Sequence, residues 1–231
     1  MPLHHKDKEW SELKSESSWR IFKIMSEFVE GFETLNNVGP CVSIFGSART
    51  HPDHPHYQMA VAVAEGLVKA GYGIITGGGP GAMEAGNRGA KNAKGKSVGL
   101  GITLPHEQRV NDFVDLDKII NHKYFFVRKV MFVKYAQAFV FMPGGFGTLD
   151  ELFECLTLVQ TRKISQVPMV LMGVSFWTGM LQWMKDIVLD QEHNINPNDL
   201  DMLYLTDDVE DAVNYVNAFY KQGLGELQPN F

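Results

Sequence analysis

From position 41 onward, short apolar runs alternate with longer stretches of helical periodicity. Cys41 to Phe45, Gly73 to Thr76, Ser97 to Thr103, Phe139 to Met142 and Val167 to Met172 are too short for helices and suit buried strands. Phe113 to Ile120 reads as a further strand with Asp115 and Asp117 alternating outward, and Tyr204-Leu205 as a short one. Between them, Tyr57 to Ala70, Tyr124 to Tyr135, Phe176 to Leu189 and Val209 to Tyr220 carry helical patterns. The alternation predicts an α/β fold: a doubly wound, Rossmann-like, mostly parallel sheet with helices on both faces. Residues 8 to 35 read as an amphipathic arm whose apolar positions, from Trp10 to Phe32, exceed what one small face needs. That excess predicts packing against the body or against another subunit. The expected organisation is a helical arm over 1–36, one domain over 37–223 and a loose tail over 224–231.

Composition changes this picture little. At 231 residues, 45% apolar and 21% charged, the chain has material for a sizeable core. A net charge of -6 speaks against nucleic acid or an anionic membrane as partner, yet leaves room for a small anion held by backbone dipoles and one or two arginines. Cys41 and Cys155 fall inside a strand and a helix and make no metal-ligand spacing, so buried thiols are expected rather than a disulfide. The histidines between His51 and His56 lack a carboxylate or cysteine cluster to complete a metal site, and a solvated loop is expected. The first twenty residues are polar with both charges, which does not suit a signal peptide, and no apolar run would span a bilayer. The expected compartment is a reduced cytoplasm.

The candidate chemistry centres on Ala138 to Glu154, AFVFMPGGFGTLDELFE. An apolar strand runs into Pro143, Gly144, Gly145 and Gly147, and then into a helix carrying Leu149, Leu152, Phe153 and Leu156. Thr148 and Glu151 match a capping box, with Thr148 as N-cap and Glu151 in the first turn. A strand, glycine turn and helix aim free N–H groups and a positive helix end at one point, where phosphate binds well. Glu151 is then either a capping residue or a carboxylate beside the bound anion.

A second glycine stretch, Gly77-Gly78-Gly79-Pro80-Gly81, follows the second strand, with Glu84, Asn87 and Arg88 on the next helix. It loosely fits a dinucleotide fingerprint. The next strand, however, offers no acid for a ribose diol before Glu107, and the glycines do not follow the first strand. NAD and FAD are therefore not expected, and no Walker lysine follows the glycines. Either the loop approaches a ligand or its glycines let strand and helix pack closely. Ser47, just past the first strand, is either a turn residue or a donor at the carboxyl edge of the sheet. Arg128 and Lys129 point about 100° apart on their helix, so they cannot share a role.

Pro143 to Glu151 matches P-G-G-x-G-T-x-x-E without departure, and Gly77 to Ala90 reads GGGPGAMEAGNRGA. With the Arg128-Lys129 pair, these motifs resemble the LOG family, cytokinin riboside 5'-monophosphate phosphoribohydrolases once labelled lysine decarboxylases. The likeness runs from about Val42 to Trp183, and the long arm with the GSART and QTRKI segments looks like the longer, bacterial-type branch. The resemblance implies hydrolysis of the N-glycosidic bond of a purine nucleoside 5'-monophosphate, AMP or an N6-prenylated relative. It makes Arg128 and Glu151 the catalytic pair. Gly144, Gly145, Gly147 and Thr148 would hold the phosphate, with Gly78, Gly79, Ser47 and Lys129 also at the substrate and Glu84 or Asn87 on the ribose hydroxyls. No metal and no organic cofactor is implied, and homodimers or larger homo-oligomers are. Two other classes stay open: a nucleotide-binding sensor without turnover, and an assembly component acting through its arm.

Overall fold

Strands and helices follow one another much as the apolar pattern predicts. The protein is described by a computed structural model covering residues 10–103 and 110–231, with side chains from Ser18 onward. In chain order the elements are α1 (Trp10–Leu35), β1 (Cys41–Phe45), α2 (Pro55–Lys69), β2 (Gly73–Thr76), α3 (Ala82–Asn92), β3 (Ser97–Ile102) and β4 (Ile119–His122). There follow α4 (Phe125–Lys134), β5 (Ala136–Phe141), α5 (Phe146–Gln160), β6 (Met169–Met172), α6 (Val174–Trp183), α7 (Pro197–Leu200), β7 (Leu203–Thr206) and α8 (Val209–Lys221). The expected start of the arm at residue 8, and the stretch from Leu104 through Glu107, lie outside the described residues.

The strand order is β4-β3-β2-β1-β5-β6-β7, and all six pairings are parallel. β5 lies inside the sheet, next to the middle strand β1, and is buried along its whole length. Its Phe139 and Phe141 join one core with Val127 of α4, Leu152 of α5 and Trp177 of α6. Ala138 and Val140 join the opposite core with Tyr57 of α2, Ala85 of α3 and Val216 of α8. Period-two alternation with both faces covered is what a central parallel strand requires. The order reverses between β1 and β5, which pair from Cys41 to Phe45. Loops leaving the carboxyl ends of these two strands diverge to opposite faces and open the crevice in which such sheets bind ligands.

Four local expectations need correction. The run from Phe113 is a strand only from Ile119, because Asp115 turns inward: its carboxylate accepts from the Ser97 N–H (3.1 Å) and pairs with Lys91 (2.5 Å) and Lys118 (3.4 Å). Burial opposes the Asp115 charge, but these partners hold its carboxyl below the usual range. The tail is docked rather than loose, since Asn230 donates to the carbonyls of Val133 (2.7 Å) and Ala136 (2.8 Å). The helix expected to run to Leu189 widens into a π-helical run over Met184–Gln191. The fourth correction concerns the start of α5 and belongs to the site.

Candidate active site

The three glycine-bearing strand ends meet at the crevice. The Ser47 N–H donates to the Pro143 carbonyl (3.1 Å), and the Ser47 carbonyl accepts from Ala82 N–H (3.0 Å). Ser47 thus ties the loop after β1 to the loop after β5 and to the first residue of α3, while its hydroxyl accepts from the Arg49 N–H (3.1 Å). The Gly78 carbonyl accepts from Asn111 N–H (2.8 Å), and Gly79 from the Asn111 amide (3.0 Å), so the second glycine loop is latched from β3's far side. Asn111 carries no motif that would have marked it.

α5 begins at Phe146 with Gly145 as its N-cap, three residues before the expected start. Thr148 already has helical bonding, its N–H meeting the Gly145 carbonyl (3.0 Å), so it cannot act as the cap. Its hydroxyl is folded under Gly144, where any Cβ would collide with it; the close approach requires glycine there. Around Gly145 and Gly147, by contrast, there is open space, and no backbone acceptor meets the N–H groups of Gly145, Phe146 or Gly147. The exposed first turn of α5 therefore offers a row of free donors at the positive end of a four-turn helix.

Glu151 consequently lies in the second turn and makes no capping box. Its Oε2 is shut off from solvent and has no hydrogen-bond partner among the described residues. A buried carboxylate oxygen left without a donor is costly and calls for an explanation. Burial pushes the carboxyl up to about 7; Lys129 and Arg128 pull it down, while Glu154 and Asp150 push it further up. A carboxyl poised near neutrality can both accept and return a proton.

Arg128 reaches the crevice from α4. Its Nε donates to the Leu100 carbonyl (2.7 Å) and a terminal nitrogen to the Gly77 carbonyl (3.4 Å), and its guanidinium lies 5.1 Å above the Phe132 ring. A Cβ at Gly77 would strike the guanidinium, so that glycine serves the arginine as much as the turn. Burial pulls the guanidinium down to about 10 and Glu151 supports its charge, so it stays cationic at neutral pH. The two groups sense one another electrostatically, yet no ion pair joins them. Lys129 is tied to α5 rather than free in solvent: its ammonium donates to Asp150 (2.8 Å) and Glu154 (2.6 Å). Burial works against its charge, but these partners raise it above the usual lysine range. Lys129→Met should therefore move the acid limb of the kcat/KM profile upward from about 7, because Glu151 loses the cation that most favours its ionisation. An unmoved limb would show that this charge does not reach Glu151.

The residues on α3 separate. Asn87 is fully buried and its amide is used up. Its oxygen accepts from Thr76 (2.6 Å) and Asn111 (3.0 Å), and its nitrogen donates to Ser97 (2.9 Å) and the Val98 carbonyl (3.1 Å). Those bonds leave nothing for a ribose. Glu84 is half-buried and oriented by the Tyr57 hydroxyl (2.7 Å), a partner that sequence spacing does not reveal. Among the described residues, no group of three or more His, Cys, Asp or Glu side chains could hold a metal; His51 and His54 instead accept from nearby N–H groups in their own loop. No helix among them is long and apolar enough to cross a membrane.

Against this geometry the comparisons are consistent. The family model described as "possible lysine decarboxylase" matches residues 83–216. The chain is similar to the cytokinin riboside 5'-monophosphate phosphoribohydrolase of Mycobacterium marinum, with 26% identity over 164 residues, 70% of this chain and 86% of that protein. The protein of the same name from Mycobacterium tuberculosis is 27% identical over 157 residues, 68% and 82% of the two chains. Among solved structures, the molybdenum cofactor carrier protein of Chlamydomonas reinhardtii superposes with a TM-score of 0.56 over 80% of this chain and 99% of that one. At 21% identity that likeness is one of fold.

Proposed function

This chain belongs to the family described as possible lysine decarboxylase, the LOG family, and from that premise we propose that it hydrolyses the N-glycosidic bond of purine nucleoside 5'-monophosphates. The observation that carries the reading is the unpartnered Glu151 carboxylate, held near neutrality one turn behind a row of free N–H donors. The 5'-phosphate takes the donors of Gly145, Phe146 and Gly147. The ribose is then brought over Glu151, with Glu84 left as the group for its hydroxyls. As the glycosidic bond breaks, positive charge develops on the ribose, and the Glu151 carboxylate stabilises it and draws a proton from the attacking water. Arg128 positions the nucleotide and offsets the charge on its anionic side. The departing base nitrogen takes a proton from solvent, Glu151 gives up to solvent the one it drew from water, and the products are free base and ribose 5-phosphate.

The word decarboxylase in the family's description is not carried over to this chain. Lys123, which follows His122, is exposed, whereas His122 is buried with its Nδ1 on the Gly101 carbonyl, so the two form no shared pocket. The working unit we propose is a homo-oligomer. Trp19, Phe22 and Met25 of α1 and Phe125 and Phe126 of α4 are more than half exposed, and a groove of 580 Å³ runs beside Phe146, Leu149 and Phe153 of α5.

The test is incubation of the purified protein with AMP and with isopentenyladenosine 5'-monophosphate, following free base by chromatography. Release of base from either establishes the hydrolase, and the ratio between them ranks the substrates. Tight nucleotide binding without release from either would replace this reading with that of a nucleotide-binding carrier or sensor.

A further inference from the structure

The arm reaches the start of α4, the helix that carries Arg128, through Glu27. Glu27 of α1 is only 9% exposed, a carboxylate on the side of the helix from which Ile24 and Phe28 pack on the core. Its two oxygens accept from the N–H groups of Lys123 (3.0 Å) and Tyr124 (3.4 Å). Tyr124 is the N-cap of α4, and its own side chain makes no capping bond. A residue almost a hundred positions away in sequence therefore supplies the cap that α4 lacks.

The next link leads to Arg128. The Tyr124 carbonyl accepts from the Arg128 N–H (3.3 Å), so the peptide units held by Glu27 open the turn that ends at the arginine. The arm also packs closely on the same helix: a Cβ at Gly31 would stand 2.6 Å from the Met131 methyl. His122 shares this corner and is kept neutral mainly by burial, despite Glu27 nearby. At the other end of α4, Asn230 holds the carbonyls of Val133 and Lys134. The helix that carries Arg128 is thus fixed at its start by the arm and at its end by the tail.

We propose that Glu27 is a positioning residue: by capping α4 from the arm, it sets where the Arg128 guanidinium stands over the crevice. Its effect on turnover rests on the hydrolase reading above. Its effect on α4 does not, and the experiment separates the two.

Glu27→Ala removes both acceptors, and Glu27→Gln keeps one of similar shape, so the second variant serves even where the first folds poorly. Each is measured for base release and for deuterium exchange of the segment from Lys123 to Arg128. In Glu27→Ala that segment should exchange about tenfold faster while α8 stays unchanged. The kcat should fall about tenfold with KM within about twofold, as expected when a group acting in the transition state is displaced. Glu27→Gln should recover part of both losses. A parental exchange rate in both variants overturns the inference, and so does fast exchange with parental kcat. If the parent releases no base, the hydrolase reading falls, and exchange alone decides whether Glu27 holds the helix.

Discussion

Glu151→Gln should lose about 10³-fold in kcat and, above neutral pH, gain stability. The loss follows from the role of the carboxylate: an amide neither takes a proton from water nor stabilises a developing cation. The gain follows from linkage. Burial raises the carboxyl from 4.5 to about 7, so between those values the folded chain binds the proton that the unfolded chain has released. Stability therefore falls as pH rises through this window, and above it the folded state carries an ionised group at a cost of about 3 kcal/mol. Glutamine resembles the protonated form and escapes this cost. At pH 8 the variant should melt roughly 6–12 °C higher than the parent, whereas near pH 4 the two should coincide. Melting curves at the two pH values check this. Equal melting at pH 8 would mean that the site does not hold an energetically strained carboxylate, and would remove the main physical argument for its chemistry. The coupling of lost activity to gained stability marks a residue kept for function at the expense of the fold.

The parts of this site legible in the sequence are those built from neighbours along the chain. Phe139 to Met142, the glycines and the apolar positions after Leu149 specify strand, turn and helix locally, and a parallel sheet follows from the alternation of elements. What sequence could not give depends on offsets of a few residues or on distant partners. Glu151 reads as a cap if α5 starts after Thr148 and as a buried acid if it starts at Phe146; Thr148 suits a cap equally well on paper. Asn87 reads as a ribose ligand because its four bonds go to Thr76, Ser97, Val98 and Asn111, none of them predictable from spacing. Arg128 and Lys129 are adjacent, and only the structure shows one stacked on Phe132 and the other tied to the outer carboxylates of α5. Asp115 reads by alternation as an outward strand residue, yet it precedes the strand, and two lysines and a strand N–H turn it inward.

Arg128→Lys should cost about 10²- to 10³-fold in kcat/KM although the charge is kept. The guanidinium has three attachments at once: two carbonyls, on β3 and on the loop after β2, and the face of Phe132. An ammonium on a flexible stem cannot reproduce that planar geometry. It would leave the Leu100 or the Gly77 carbonyl without its donor, at about 1–3 kcal/mol for a buried group. A shift of the cation from its place opposite Glu151 removes it from where charge changes during bond breaking. Arg128→Met separates position from charge. Arg128 is among the groups that lower the Glu151 carboxyl, so its neutral replacement should also move the acid limb of the pH profile above about 7, while the lysine variant should leave that limb nearly in place. Together the two variants read different properties of one side chain, the rate at optimal pH reporting geometry and the position of the limb reporting charge. Parental kcat/KM in Arg128→Lys would reduce the arginine to a structural strut between β3 and the second glycine loop. An unmoved limb in Arg128→Met would show that the carboxylate is set near neutrality by burial, Lys129 and the carboxylates of its own helix, without Arg128.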